Sequence, residues 1–397
     1  MTAILALDGG PPIRPTFLPY SHPVLTDDDV AAALRVLKSG WLTTGPTIVE
    51  LERAFAAEAG APHVLAVASC TAALHIAYGT IPLKPGDEVI VPAITFAATA
   101  ATAVAAGGRP VIADVGADMN LDADDAARRI TPRTRALAAV HMGGLPCDLD
   151  ALEELCRAHN LALVQDCAHA VGARWRGAPL GGHGFAACYS FHAVKQIAAG
   201  EGGVLATRDP DVAARAKLFR NHFMTASAAS RHGPDAGYRY DIVGAGYNYR
   251  IPEVNAALAL SQLRRLEADD ARRQAIAHAY DTAFAARDDL ELIPTPPHAK
   301  HGRHLYMVKL NLAALRADRD AVFRALRAEN IGVNVHYIPL HFLTYYRDAF
   351  GYRPGDFPRA EAIFARSLTL PLFAAMNDGD VADVIAAVDK VLTHYRR

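Results

Sequence analysis

The sequence has no C-x-x-C pair and no H-E-x-x-H run. Its five cysteines, Cys70, Cys147, Cys156, Cys167 and Cys188, stand far apart. That argues against a disulfide framework or a zinc site, and it fits a reducing, cytoplasmic setting. The 17 histidines show no metal-ligand spacing, so no metal is expected. No apolar run reaches the length of a bilayer span. The opening residues, Met1 to Gly10, lack the basic and apolar regions of a secretory signal, so none is expected. Neither charge sign dominates: 40 Lys and Arg against 42 Asp and Glu leave a net charge of -2. Such a chain has no overall field to recruit nucleic acid or acidic lipid. Internal repeats and low-complexity tracts are also absent.

What is present is an ordinary globular composition in a chain of 397 residues, too long for one simple core. Residues 1–25 form an arm rich in proline and glycine. The run Thr26-Asp27-Asp28-Asp29 then signals a helix start, with Leu34 and Leu37 on one face and Gly40 as its stop. A second helix is expected over 47–59, with Val49 and Leu51 among its apolar positions. From about 63 to 208, short runs rich in Val, Ile, Leu and Ala alternate with helical stretches such as 149–159. Strands are expected at 63–68, 88–91, 110–115, 135–141, 162–166, 186–192 and 203–207. Their lack of clean alternation predicts a mainly parallel sheet covered by helices on both faces, an α/β fold. Ligands of such sheets bind at the carboxyl ends of the strands. Pro252 is placed at the first position of a long helix whose apolar pattern runs on to Phe284. After the proline cluster 294–297 the pattern predicts a smaller α/β domain, with strands at 304–310, 333–337 and 367–372 and helices at 320–330 and after Asp378. The expected division is an arm (1–25), a large domain (26–275) and a small domain (276–397).

Five segments converge on one chemistry. Ser190 to Lys195 follows a strand and precedes Gly200-Glu201-Gly202-Gly203. Asp166 ends the apolar run Leu161 to Gln165 and is followed by Cys167-Ala168-His169. A lysine and an acid, each at a strand end, suit a pyridoxal phosphate site: the amine forms the Schiff base and the carboxylate keeps the pyridine nitrogen protonated. Ser69-Cys70-Thr71 opens a helix with small residues, where backbone amides can approach a phosphate. Phe96, in Val91-Pro92-Ala93-Ile94-Thr95-Phe96, can cover a ring face. Asn248-Tyr249-Arg250 precedes a helix and can contact a phosphorylated ligand. Each segment also has a plain structural alternative: a tight turn at Cys70, a core Phe96, Asp166 capping a turn, a solvated Lys195, a capped loop at Asn248.

Taken together, in this order, the segments resemble the DegT/DnrJ/EryC1/StrS sugar aminotransferases, a group of fold-type-I pyridoxal phosphate enzymes. Further markers are Ser39-Gly40-Trp41-Leu42-Thr43-Thr44-Gly45-Pro46, Thr71-Ala72-Ala73-Leu74-His75, Val335-His336-Tyr337 and Pro339-Leu340-His341, so the likeness spans nearly the whole chain. The resemblance implies an aspartate-aminotransferase-like fold, with Lys195 as the Schiff-base lysine and Asp166 as the pyridinium partner. It also implies Phe96 stacked on the ring, His169 beside the phenolic oxygen, and phosphate held by the backbone at Cys70 and Thr71 with the Ser190 hydroxyl. Asn248 would reach the phosphate of a neighbouring subunit, which implies a homodimer with shared sites. Trp41, Thr43, Arg250, His336 and Tyr337 are the implied substrate residues. Three positions depart from the family pattern: Cys70 where glycine is common, Ala193 where proline is common, and Phe223 where glycine is frequent.

The implied reaction transfers an amino group from glutamate or glutamine to a nucleotide-linked keto-sugar. Lys195 favours this over dehydration, for which some relatives carry histidine at this position. The segment from His336 to His341, with Tyr345-Tyr346-Arg347, resembles enzymes acting at C4 of UDP-linked 4-keto-6-deoxy sugars. A 3-keto sugar or a cyclitol ketone of an antibiotic pathway is the alternative substrate. A regulator that keeps the fold without catalysis is the non-enzymatic alternative, and the presence of both Lys195 and Asp166 speaks against it.

Overall fold

The computed structural model describes residues 4–225 and 239–397. Its centre is a seven-stranded sheet in the order β1-β9-β8-β5-β4-β2-β3. The strands in chain order are β1 His63–Val67, β2 Glu88–Pro92, β3 Arg109–Ala113, β4 Thr134–Val140 and β5 Ala162–Asp166. After the short pair β6 Arg174–Trp175 and β7 Ala178–Pro179 come β8 Ala186–Ser190 and β9 Gly203–Thr207. Only β9 runs against the rest of this sheet, pairing antiparallel with both β1 and β8. The expected α/β fold with a mainly parallel sheet is what forms.

Alternate residues of each strand enter different cores. Leu65 and Val67 of β1 pack on one face, with Val89, Val91, Ala136 and Ala138. Val64 and Ala66 pack on the other, with Ile90, Leu137 and Ala139. Both faces are dry, so both sets of positions must be apolar, and the sequence shows continuous apolar runs. A third core lies in a separate antiparallel sheet, β10 Leu290–Leu292, β12 Tyr306–Leu310 and β13 Ser367–Leu370. The strand β11 Ala299–Lys300 pairs instead with β6. Leu5 and Leu18 of the N-terminal arm are buried in this third core.

Several local expectations change in the fold. The helix α1, Asp27–Ser39, starts at the predicted cap: the Thr26 amide donates to Asp29 Oδ2 at 2.9 Å. Gly40 stops it at φ +71°, a left-handed conformation suited to glycine. Its inward face, however, is Asp29, Ala32 and Val36, while Val30, Leu34 and Leu37 are exposed. Spacing alone gives a face, not its partner. In α2, Pro46–Ala59, Leu51 is buried but Val49 is exposed. Pro252 is the residue before the helix Glu253–Leu263 rather than its first, and a second helix, Leu266–Phe284, follows a break at Arg264 and Arg265. Residues 333–337 form no strand; Asn334 alone bridges to Thr369.

The break serves a purpose in packing. Arg265 turns its guanidinium onto fully buried Asp29, with Nη1 at 2.8 Å from both carboxylate oxygens. At the other end of the helix Glu253–Leu263, buried Glu253 accepts from three amides at the start of α2: Gly45 at 2.7 Å, Thr47 at 3.0 Å and Ile48 at 3.3 Å. These donors have no partner inside the helix, and Pro46 between them has none to offer. Replacing Glu253 with alanine is expected to lower the free energy of unfolding in urea by about 1–3 kcal/mol, with Glu253→Gln losing less. An unmoved urea midpoint in Glu253→Ala would show that water serves those amides equally well.

Candidate active site

The carboxyl ends of the parallel strands converge on one cavity of about 710 Å³. Ser69 and Cys70 follow β1, Thr95 and Phe96 follow β2, and Val140, Asp166 and Ser190 are the last residues of β4, β5 and β8. This is where a parallel sheet leaves backbone groups and helix starts open to a ligand.

Lys195 lies in the turn between β8 and β9, with its amide bonded to the His192 carbonyl at 2.8 Å. Burial disfavours the ammonium and draws its pKa down to about 8, against the opposing pull of Asp166. Its Nζ is 3.5 Å from His304 Nε2. Asp166 is buried and receives 2.7 Å from the Thr99 hydroxyl and 3.1 Å from the Ala168 amide. Burial raises its carboxyl pKa, and these two donors with Lys195 only partly offset that. Thr99 is in turn 2.8 Å from Thr95 Oγ1, so two hydroxyls orient the acid. The Cys70 thiol, 4.0 Å from Asp166, is pushed well up by burial and is no nucleophile.

Cys70 and Thr71 occupy the first turn of α3, Cys70–Thr80. Ser69 caps that helix by accepting from the Ala72 amide at 3.1 Å. The amides of Cys70 and Thr71 come at the positive end of the helix, on the cavity wall. β9 runs hard against this turn: a Cβ on Gly203 would sit 2.8 Å from the Cys70 nitrogen. Ser190 stands at the adjoining strand end and takes the His192 amide at 3.3 Å. Phe96 is 59% exposed despite its size, with its ring 5.8 Å from that of Tyr337. A large ring left open inside a cavity is available to stack.

His169 is buried and held neutral, its pKa lowered chiefly by burial. Nδ1 accepts from the Gly143 amide at 3.3 Å, which places the proton on Nε2, 3.1 Å from the Tyr337 hydroxyl. His336 is fixed by Thr369 Oγ1 at 2.8 Å from its Nδ1, and burial lowers its pKa to about 3.

Nine of the residues named from the sequence therefore line this one cavity: Lys195, Asp166, Cys70, Thr71, Phe96, His169, Ser190, His336 and Tyr337. Four do not. Trp41 and Thr43 are exposed, and Thr43 bridges Pro252. Asn248 is exposed and bridges Asn221, whose Oδ1 also accepts from Arg250 Nη1 at 2.5 Å. These four gather on strands of loop that the Thr43–Pro252 bridge ties together. Sequence reasoning missed Thr99, His304 and Gln196. Thr95 and Thr99 at i, i+4 spacing were a usable sign; His304, 109 residues from Lys195, had none.

The donor set fits pyridoxal phosphate. A buried carboxylate lacking a cation at hydrogen-bond distance, an amine kept near neutrality, a helix start and an open aromatic ring match its nitrogen, aldehyde, phosphate and ring. Among the described residues no group of His, Cys, Asp or Glu is arranged to hold a metal, and no helix is long and apolar enough to cross a membrane.

Comparison with known proteins gives the same picture. The profile of the DegT/DnrJ/EryC1/StrS aminotransferase family matches residues 23–389. The spore coat polysaccharide biosynthesis protein SpsC of Bacillus subtilis is 39% identical over 381 residues, 96% of this chain and 98% of that protein. Among solved structures, a putative sugar aminotransferase of Streptococcus pneumoniae in its PMP form superposes with a TM-score of 0.89 at 31% identity, covering 95% of this chain and 99% of that one. PseC of Helicobacter pylori, an aminotransferase involved in pseudoaminic acid biosynthesis, gives 0.90 at 28% identity, covering 96% and 100%.

Only the neutral amine of Lys195 can attack an aldehyde. Capture of added pyridoxal phosphate by cofactor-free protein, fixed with borohydride and mapped to the Lys195 peptide, should therefore rise with pH through a midpoint of about 8. A midpoint near the ordinary lysine value of about 10.4 would contradict the burial described here.

Proposed function

This chain belongs to the DegT/DnrJ/EryC1/StrS aminotransferase family and is a PLP-dependent sugar aminotransferase, and on that basis we infer that it moves an amino group from glutamate or glutamine to C4 of a UDP-linked 4-keto-6-deoxyhexose. The observation that carries the amino-transfer reading is the meeting of Lys195 and Asp166 in one cavity. The choice of sugar is supported by His336 and Tyr337 lining that cavity. It is supported also by relatives named for spore coat polysaccharide and pseudoaminic acid biosynthesis. The other marks of that sequence pattern have structural duties: His341 is buried against Glu361 at 3.0 Å, and the Tyr346 hydroxyl donates to the Ala97 carbonyl at 3.2 Å.

When bound, pyridoxal phosphate supplies an aldehyde that bonds to amines and a conjugated ring that accommodates the electron pair released at the neighbouring carbon. Asp166, aligned by Thr99, holds the proton of the ring nitrogen. The amides of Cys70 and Thr71 and the Ser190 hydroxyl hold the phosphate. Phe96 would cover one face of the ring, and His169, kept in place by Tyr337, would serve its phenolic oxygen. Lys195 is the anchoring amine and, once released, the base that carries a proton between the two carbons. Its lowered pKa keeps a fraction of it neutral at physiological pH.

Trp41, Thr43, Asn248 and Arg250 complete the site of the other subunit of a homodimer. What supports this is their distance from their own cavity together with an uncovered apolar stripe on α1. Val30, Leu34 and Leu37, at i, i+4 and i+7, are 59%, 46% and 56% exposed, and Trp41 and Leu42 continue the patch. A cytoplasmic home is supported by the five cysteines, all buried and unpaired.

A panel of keto-sugar nucleotides with glutamate and glutamine as donors tests the substrate. A UDP-linked 4-keto-6-deoxyhexose should be turned over, and Lys195→Ala should lose at least about 10³-fold in kcat. Turnover confined to 3-keto sugars or cyclitol ketones would discard the C4 assignment. The double change Leu34→Glu with Leu37→Glu should give a monomer in sedimentation and weaken cofactor retention. A fully active dimer carrying both glutamates would place the subunit contact elsewhere.

A further inference from the structure

In amino transfer the Lys195 nitrogen leaves its bond to the cofactor in the first half-reaction and regains it only at the end of the second. A free amine largely withdrawn from bulk solvent needs a polar partner, because leaving it bare is costly. Among the described residues, the side-chain partner at hydrogen-bond range is His304, with Nε2 3.5 Å from Nζ.

His304 reaches that place from the loop between β11 and β12, and the loop is firmly anchored. Its amide donates to the Gly143 carbonyl at 3.0 Å, and that of Gly302 to the Gly144 carbonyl at 2.8 Å. Gly144 has φ +98°, and a Cβ there would lie 2.6 Å from the His169 carbonyl oxygen, so this close approach requires glycine. Gln196, the neighbour of Lys195, donates to the carbonyls of His169 at 2.9 Å and Gly302 at 3.2 Å, fastening the lysine turn to both histidine segments. The His304 ring lies 4.6 Å from that of His169.

The two imidazoles differ in one respect. The proton of His169 is fixed by the Gly143 amide at Nδ1. The Nδ1 of His304 is buried with no partner among the described residues, and none of these locks its tautomer. A neutral imidazole with a free choice of tautomer can accept from an ammonium or donate to an amine lone pair. A carboxylate in that place would accept only, and would hold the ammonium.

We propose that His304 is a positioning residue that receives the Lys195 amine each time it leaves the cofactor, in either protonation state. This rests on the reading of Lys195 as the imine-forming lysine. Burial keeps His304 neutral, as the role requires. The other titratable groups facing the amine are Asp166, Cys70, His169 and His336, with Arg273 behind His304, and a change at His304 leaves all of them in place.

The test compares His304→Phe, which keeps a planar ring without nitrogen, and His304→Gln, which keeps a donor and an acceptor. Two quantities are read: the pH midpoint of borohydride-fixed pyridoxal phosphate on Lys195, starting from cofactor-free protein, and kcat with KM for glutamate. His304→Phe should lower kcat about ten- to hundredfold with KM little changed. It should also move the capture midpoint to lower pH, because of the two hydrogen bonds lost the charge-assisted one to the ammonium is the stronger. His304→Gln should recover most of kcat. Unchanged kcat and midpoint in His304→Phe would overturn the proposal. So would equal loss in both variants at an unmoved midpoint, which marks a purely structural role. If His304→Phe does not fold, His304→Gln decides: activity within a few-fold of the unaltered protein supports the role, and a hundredfold loss at an unmoved midpoint refutes it. Unaltered protein that fixes no cofactor on Lys195 would instead defeat the underlying assignment of the lysine.

Discussion

An amine and a carboxylate share one cavity, and burial acts on them in opposite directions. It pulls the Lys195 ammonium toward neutrality and lifts the Asp166 carboxyl, while their mutual attraction opposes both shifts. A site with only one of these groups would let burial neutralise it. With both, the acid keeps a reason to stay charged and the amine stays close to reactive. The rest of the molecule can be understood as the means of keeping the pair at strand ends, apart from water and from any other strong counter-ion.

The sheet does most of that work. Its two dry faces force continuous apolar strands, and the shared direction of all but β9 brings their carboxyl ends to one edge. Polar groups are then added sparingly. Thr95 and Thr99 serve the acid, Gly143 and Tyr337 serve His169, and Gln196 stitches the lysine turn to the segments carrying His169 and His304. Each is a short, satisfied contact in a medium where an unsatisfied one is expensive. Among the described residues, the Nδ1 of His304 and the Oε1 of Gln196 are exceptions, buried without a partner.

The surface follows a different rule. Asp29, paired with Arg265, and Glu253 bury their charges to secure the starts of α1 and α2, yet the outer side of α1 remains apolar. Firm support on one side and uncovered leucines on the other are what a helix needs to present a fixed face to another chain. The loops bearing Thr43 and Asn248 lie beside the same region, tied through Pro252 and Asn221.

The strands, the α/β class and seven of the cavity residues could be read from the chain because local signals carried them, whereas His336 and Tyr337 are named only through the family resemblance. Apolar runs of strand length, turn residues after each run, and polar groups placed where a run ends are all short-range patterns. The inward face of α1, the break at Arg264 and Arg265, and the loss of a strand at residues 333–337 could not be read in that way. Each depends on which distant surface an element meets: Glu253 against the start of α2, Arg265 against Asp29, Asn334 against Thr369. The same holds for His304, whose chemistry exists only because a loop more than a hundred residues away is folded onto Lys195. Sequence by itself determined which residues could do the chemistry, since side-chain type and local spacing are properties of the chain. Tertiary structure alone decided which of them meet, how far burial shifts their protons, and which apolar faces stay open, because those depend on packing between segments that are remote along the chain.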